Sequence, residues 1–140
     1  MIVLTIGSFD MLHVGHLELL RACRNYAGTD GHVVVGLNRD MFIERYKGRN
    51  PVQGYANRRE MLMACRLVDL VVCNIGDFSS RECIDVVNPD LLVIGSDWAE
   101  KDYLGQLGID QAWLDERNLT IRYVPRTRGV STTALREAVA

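Results

Sequence analysis

His13 and His16 stand three residues apart in the stretch GSFDMLHVGH (7–16), directly after the first apolar run of the chain, with Gly7, Asp10 and Gly15 beside them. A plain strand-to-helix turn needs one glycine and one cap. Two imidazoles at this spacing need a chemical reason. If a helix starts here, both rings can point to one side. The first N–H groups of a helix lack intrahelical partners and carry partial positive charge, so they attract anions. Gly15 lets a ligand approach the backbone. Together these features describe a phosphate site. The competing reading, two surface histidines in an ordinary turn, does not account for the flanking Gly7 and Gly15. GSFDML does not fit G-x-G-x-x-G, and G-x-x-x-x-G-K-[ST] occurs nowhere, so neither a dinucleotide fingerprint nor a P-loop is supported. Histidines at i and i+3 could hold zinc, but Asp10 is the one further ligand type close by, so no metal ligands are assigned.

The elements that must position this stretch follow a regular order. Residues 2–6, 32–37, 69–73, 90–95 and 120–124 are short, continuously apolar or β-branched runs. Such runs suit a parallel sheet covered on both faces. Helical stripes lie between them: Leu17, Leu20, Cys23 and Ala27; then Met61, Leu62, Cys65 and Leu67; then Cys83, Ile84, Val86 and Val87. Another helix is predicted around IDQAWLDERN (109–118), and a last one in STTALREAVA (131–140), where Ser131 is a good N-cap. The polar stretch YKGRNPVQG (46–54), with Gly48, Pro51 and Gly54, reads as a mobile loop. The fold class is therefore α/β: a single-domain, Rossmann-like, doubly wound parallel five-stranded sheet with helices on both faces. Ligands of such sheets bind beyond the carboxyl ends of the strands, where the strand order reverses. The GSFDMLHVGH turn follows the first strand and belongs there.

With 140 residues, one domain is expected over 1–140, and a hydrophobic share of 48% supports a proper core. The formal charge of -2 argues against a nucleic-acid binder. Cys23, Cys65, Cys73 and Cys83 form no C-x-x-C pair and read as free thiols in a reducing cytoplasm. The opening apolar run is too short for a signal peptide or a membrane span, so a cytoplasmic protein is expected.

GSFDMLHVGH resembles the G-x-F-D-x-x-H-x-G-H signature of the cytidylyltransferase family of the nucleotidyltransferase superfamily. RTRGVSTT (126–133) is similar to that family's R-T-x-G-I-S-T-T signature, with Val130 in place of isoleucine. GSDW (95–98) is similar to its G-D-D-W segment, with Ser96 for the first aspartate. The motifs fall in family order, cover almost the whole chain, and resemble most the compact glycerol-3-phosphate cytidylyltransferase type. The second signature also has a physical meaning of its own. Ser131, Thr132 and Thr133 open a helix, which offers a second N-terminus to an anion. A simple capped helix would use the same residues, but Arg126 upstream adds a guanidinium suited to phosphate.

The resemblance implies transfer of CMP from CTP to a small phosphorylated acceptor, with glycerol 3-phosphate foremost. It also implies a Mg²⁺ cofactor carried by the nucleotide and few carboxylates, Asp10 among them, and a homodimer. His13, His16 and Lys47 would be catalytic. Gly7, Ser8, Phe9, His13, Gly15, His16, Arg49, Arg126, Thr127, Gly129, Val130, Ser131 and Thr132 would bind the nucleotide. Asp10, Lys47, Arg58, Arg66, Asp97 and Trp98 would bind the acceptor, Arg58 and Arg66 serving either that purpose or the holding together of the site. Arg58 and Arg66 are eight apart and expected on one helix face; alone they would read as a solvated face. Ser79, Ser80 and Arg81 occupy a region where the family can carry a substrate-binding lysine, and there the local pattern departs. Two rival functions remain open: adenylyl transfer from ATP to a sugar or flavin phosphate, and a nucleotide-binding module without catalysis. No partner membrane or nucleic acid is expected.

Overall fold

The apolar runs become parallel strands in the computed structural model, which describes residues 1–76, 79–96, 103–125, 135, 136 and 138. The elements run β1 (Ile2–Gly7), α1 (Val14–Ala27), β2 (His32–Asn38), α2 (Asp40–Lys47), α3 (Tyr55–Met63), β3 (Leu70–Asn74), α4 (Arg81–Val87), β4 (Leu91–Ser96), α5 (Tyr103–Leu107), α6 (Gln111–Glu116) and β5 (Thr120–Pro125). The strands form a five-stranded sheet in the order β3-β2-β1-β4-β5. All neighbouring pairs are parallel, with β1 meeting β2 from Ile2 opposite His32 to Gly7 opposite Leu37. The chain leaves β1 in one direction for β2 and β3, then returns to the other side of β1 for β4 and β5. The reversal lies between β1 and β4, where Val3 pairs with Leu91.

Side chains alternate across each strand, and both faces are covered. Leu4, Val34, Leu92 and Ile94 pack with Ile84, Leu107, Trp113 and Leu114 from α4, α5 and α6. Val35, Leu37 and Val71 pack on the opposite face with Leu20 of α1 and Leu62 of α3. Val3, Val33 and Val93 extend that face against Cys23 and Ala27. Burying one such aliphatic side chain is worth about 1.5–3 kcal/mol, so these layers supply the rigid frame for the strand ends. The described residues include no helix long and apolar enough to cross a membrane.

Two helices are additional to the pattern read from sequence. α2 covers Asp40–Lys47 and buries Phe42 and Ile43, so Lys47 closes a helix rather than sitting in a loop. Gly48, at φ 72, ends it, its N–H bonding the Glu44 carbonyl. α5 is a five-residue helix from Tyr103 to Leu107. A third difference concerns Arg66. α3 ends at Met63, capped by Ala64, so Arg58 and Arg66 do not share a helix.

Candidate active site

The loop from β1 into α1 is built by its own side chains. His13 is the N-cap of α1 in extended conformation, and its Nδ1 accepts the Gly15 N–H at 3.1 Å. The Nδ1 of His16 accepts the His13 N–H at 3.1 Å, closing a reciprocal capping box. The two imidazoles stack with centroids 3.8 Å apart at 22°. An imidazole that accepts at Nδ1 carries its proton on Nε2 when neutral. The capping box therefore selects one tautomer for both rings and makes Nε2–H their donor.

Phe9 locks this pair from beneath. Its ring lies 5.2 Å from that of His16 and is buried. A Cβ on Gly7 would stand 3.0 Å from the Phe9 ring, so any larger residue there would displace it. Phe9 (φ 48) and Met11 (φ 49) both hold left-handed backbone angles. Non-glycine residues occupy that region only where surroundings impose it. Here the Asp10 carboxylate between them accepts the N–H groups of Val52 at 2.7 Å and Gln53 at 2.9 Å. Met11 N–H donates to Gln53 Oε1 at 3.1 Å. Arg136 reaches the same knot, its Nη2 lying 3.1 Å from the Asn50 carbonyl and 3.4 Å from Asp10 Oδ2.

These residues open on a cavity of about 220 Å³ at the carboxyl ends of the central strands. Of the residues singled out from sequence, Gly7, Ser8, Phe9, Asp10, His13, Gly15, His16 and Lys47 line it together. Asn38 and Tyr46 on the β2 side, and Tyr103 and Gln106 from α5, line it too and carried no sequence motif. Arg49 and Arg66 are exposed and are not among its lining residues. Arg58 lies beneath the site with 0% exposure, donating to the carbonyls of Ser8, Asn38 and Gln53 and to Asp40. Its guanidinium thus holds the site's loops together, in place of the solvated face that its spacing alone suggests. Ser80 is buried against Asn74, and Arg81 turns toward the Gly108 carbonyl and the Trp113 ring. Arg126, Thr127, Gly129, Val130, Ser131, Thr132, Asp97 and Trp98 lie outside the described residues.

The fit of a metal can be judged from the carboxylates. Among the described residues no group of three or more histidine, cysteine or acidic side chains could hold an ion. Asp10 is the one carboxylate among the described lining residues, and both its oxygens accept loop N–H groups. It is committed to structure and does not fit the expected role of a Mg²⁺ ligand.

A doubly wound sheet with a capped imidazole pair at the strand reversal defines a nucleotidyltransferase-type α/β protein. The chain belongs to the cytidylyltransferase-like family, whose family model matches residues 4–138. It is 32% identical over 136 residues to a glycerol-3-phosphate cytidylyltransferase of Staphylococcus aureus (strain NCTC 8325 / PS 47), covering 96% of this chain and 92% of the relative. It is 36% identical over 137 residues to the bifunctional protein HldE of Koribacter versatilis (strain Ellin345), covering 97% of this chain but 26% of the relative. The chain thus spans about a quarter of HldE. An FAD synthase of Korarchaeum cryptofilum (strain OPF8) is 33% identical over 103 residues, 73% of this chain and 69% of the relative. Among solved structures, the lipopolysaccharide core biosynthesis protein from Thermoplasma volcanium GSS1 superimposes with a TM-score of 0.70 at 22% identity, over 91% of this chain and 96% of that one. That likeness confirms the Rossmann-like fold.

Proposed function

We propose that this protein transfers CMP from CTP to the phosphate of a small acceptor, glycerol 3-phosphate foremost, releasing pyrophosphate. The observation that carries this reading is the capped His13–His16 pair at the edge of the cavity, with both ring protons assigned to Nε2. The acceptor phosphate is already an anion, so attack on the α-phosphorus needs no strong base. The demand is positioning and stabilisation of charge on the non-bridging oxygens. His16 Nε2–H would donate to the α-phosphate as charge moves onto it. His13 would hold the triphosphate and assist departure of pyrophosphate. Lys47, one residue before the Gly48 turn, would offset charge on the transferring group. The partial positive charge at the start of α1 adds to the anion's binding. Mg²⁺, for which the described residues offer no cage of carboxylates, would enter on the triphosphate as part of the substrate. The S. aureus relative supports the acceptor, because its similarity extends over almost the whole of both chains.

The similarity to an FAD synthase keeps adenylyl transfer as the second reading. Pyrophosphate release decides between them. With CTP, Mg²⁺ and a panel of phosphorylated acceptors, turnover with CTP well above that with ATP is expected. Turnover with ATP alone would establish the second reading. Absence of release with either nucleotide across the panel would refute transfer. A homodimer, implied by the family resemblance, is checked by sedimentation of the same preparation.

A further inference from the structure

A chain of neutral polar side chains runs from the interior to the cavity on the β2 side. Asn74 Nδ2 donates to Ser80 Oγ at 3.0 Å and to Asn38 Oδ1 at 2.8 Å. Asn38 Nδ2 donates to Ser8 Oγ at 3.3 Å, and Ser8 Oγ meets the Tyr46 hydroxyl at 3.1 Å. Exposure rises along it: Ser80 and Asn74 0%, Asn38 4%, Ser8 9% and Tyr46 42%. Ser8, Asn38 and Tyr46 line the cavity. A buried amide and hydroxyl series is a costly way to fill a core. Apolar side chains of the same size would be as stable or more so. Asn74 Oδ1 has no hydrogen-bond partner among the described residues, so the series is not optimised for stability.

We propose that Tyr46, set by Ser8 and Asn38, recognises the hydroxyl groups of a polyol-type phosphate acceptor and so determines acceptor specificity; this rests on the transferase reading above. Two observations place the acceptor there. The sheet's reversal between β1 and β4 gives the nucleotide the crevice walled by Gly95, Ile94, Leu19 and Val124, with Tyr103 and Gln106 of α5 as its polar side chains. The β2 side supplies a connected series of neutral donors and acceptors that ends at the cavity on Tyr46. Among the described lining residues, Lys47 brings positive charge beside Tyr46 and the one carboxylate, Asp10, is turned to backbone N–H groups, an arrangement that suits a neutral hydroxyl better than an ammonium head group. Because Ser8 Oγ accepts from Asn38, its own proton can go to Tyr46, leaving the phenol free to donate or accept with a hydroxyl ligand.

Calorimetric titration of the full chain with glycerol 3-phosphate, propyl phosphate and CTP separates the sources of hydroxyls. Wild type should bind glycerol 3-phosphate about five- to tenfold tighter than propyl phosphate, the effect of one well-made hydrogen bond. Tyr46→Phe, at an exposed position, should remove that preference and leave CTP affinity unchanged. A wild-type protein without the preference, or a Tyr46→Phe protein that keeps it, overturns the inference. Weakened CTP binding in Tyr46→Phe also overturns it, because the hydroxyls recognised would then be those of the nucleotide's ribose. Failure of the transferase reading has its own signature, the absence of pyrophosphate release.

Discussion

Arg58 donates through Nη1 to the carbonyl of Ser8 at 2.9 Å, fifty residues away in the chain. The same nitrogen reaches the Asn38 carbonyl at 2.8 Å, Nε reaches the Gln53 carbonyl at 2.9 Å, and Nη2 meets Asp40 Oδ1 at 2.5 Å. One guanidinium therefore joins the end of β1, the end of β2, the start of α2 and the loop before α3. Its planar fork of donors suits several acceptors at once.

Removing it leaves buried carbonyls without donors and opens a cavity. Arg58→Ala should lower unfolding free energy by about 3 kcal/mol or more, read from urea denaturation. Arg58→Lys keeps the charge but has one donor group, so it should recover only part of the loss. A fully stable Arg58→Ala protein would show that the Ser8 and Asn38 loops are held by other contacts.

Arg58 also shows where sequence reasoning stops. Three of its partners are backbone carbonyls on other segments, which leave no trace in spacing or charge. The strands, by contrast, are legible because an apolar run bounded by turn residues reports burial on both faces directly. α1 is legible through Leu20, Cys23 and Ala27, its buried stripe. α2 is not, because Phe42 and Ile43 are its two buried residues and Gly48, Pro51 and Gly54 dominate the pattern around it. The five residues of α5 are too few for any period. In the site, the imidazole pair stands out by residue type, while Asn38 and Tyr46 are ordinary until the sheet brings them beside Ser8. The bonding of both Nδ1 atoms to the turn's own backbone was likewise hidden, since histidine is not a usual capping residue.

That capping role separates structure from chemistry at His16. It occupies the third position of α1, where glutamine can also accept the N–H of the cap residue. His16→Gln should therefore stay within about 1 kcal/mol of wild-type stability, the value of a single cap interaction. Turnover should nonetheless fall by about 10²–10⁴, the usual effect of removing a donor to developing charge. Equal loss in stability and turnover would reduce His16 to a cap, and a fully active His16→Gln protein would remove it from the chemistry.

Asp10 offers a test of the loop that follows Lys47. Its carboxylate accepts two N–H groups, which an amide cannot do on both sides. Asp10→Asn turns an N–H donor against one of them and should cost about 1–3 kcal/mol. Release of the 48–54 segment should appear as faster tryptic cleavage after Lys47 and Arg49, mapped by mass spectrometry. An unchanged cleavage rate would mean that Gln53 and Arg136 hold the loop unaided.

Acid stability should depend on Asp69. Partial burial by itself would raise its pKa, but the Val33 N–H at 2.7 Å and the Arg24 guanidinium at 2.8 Å outweigh that and hold the carboxyl below its ordinary value of 3.8. A carboxyl lowered by folding binds its proton more weakly in the native state. Its stabilisation is complete above the ordinary value and disappears as pH falls through the lowered native one. The wild-type Tm should therefore drop more steeply than that of Asp69→Asn as pH falls from about 5 to about 2. At neutral pH the variant should be the less stable of the two, because its amide cannot pair with Arg24. The two curves should converge in acid, where the wild-type carboxyl is protonated and equally uncharged. Parallel curves over the whole range would show that the contact of Asp69 with Val33 and Arg24 contributes nothing that titrates.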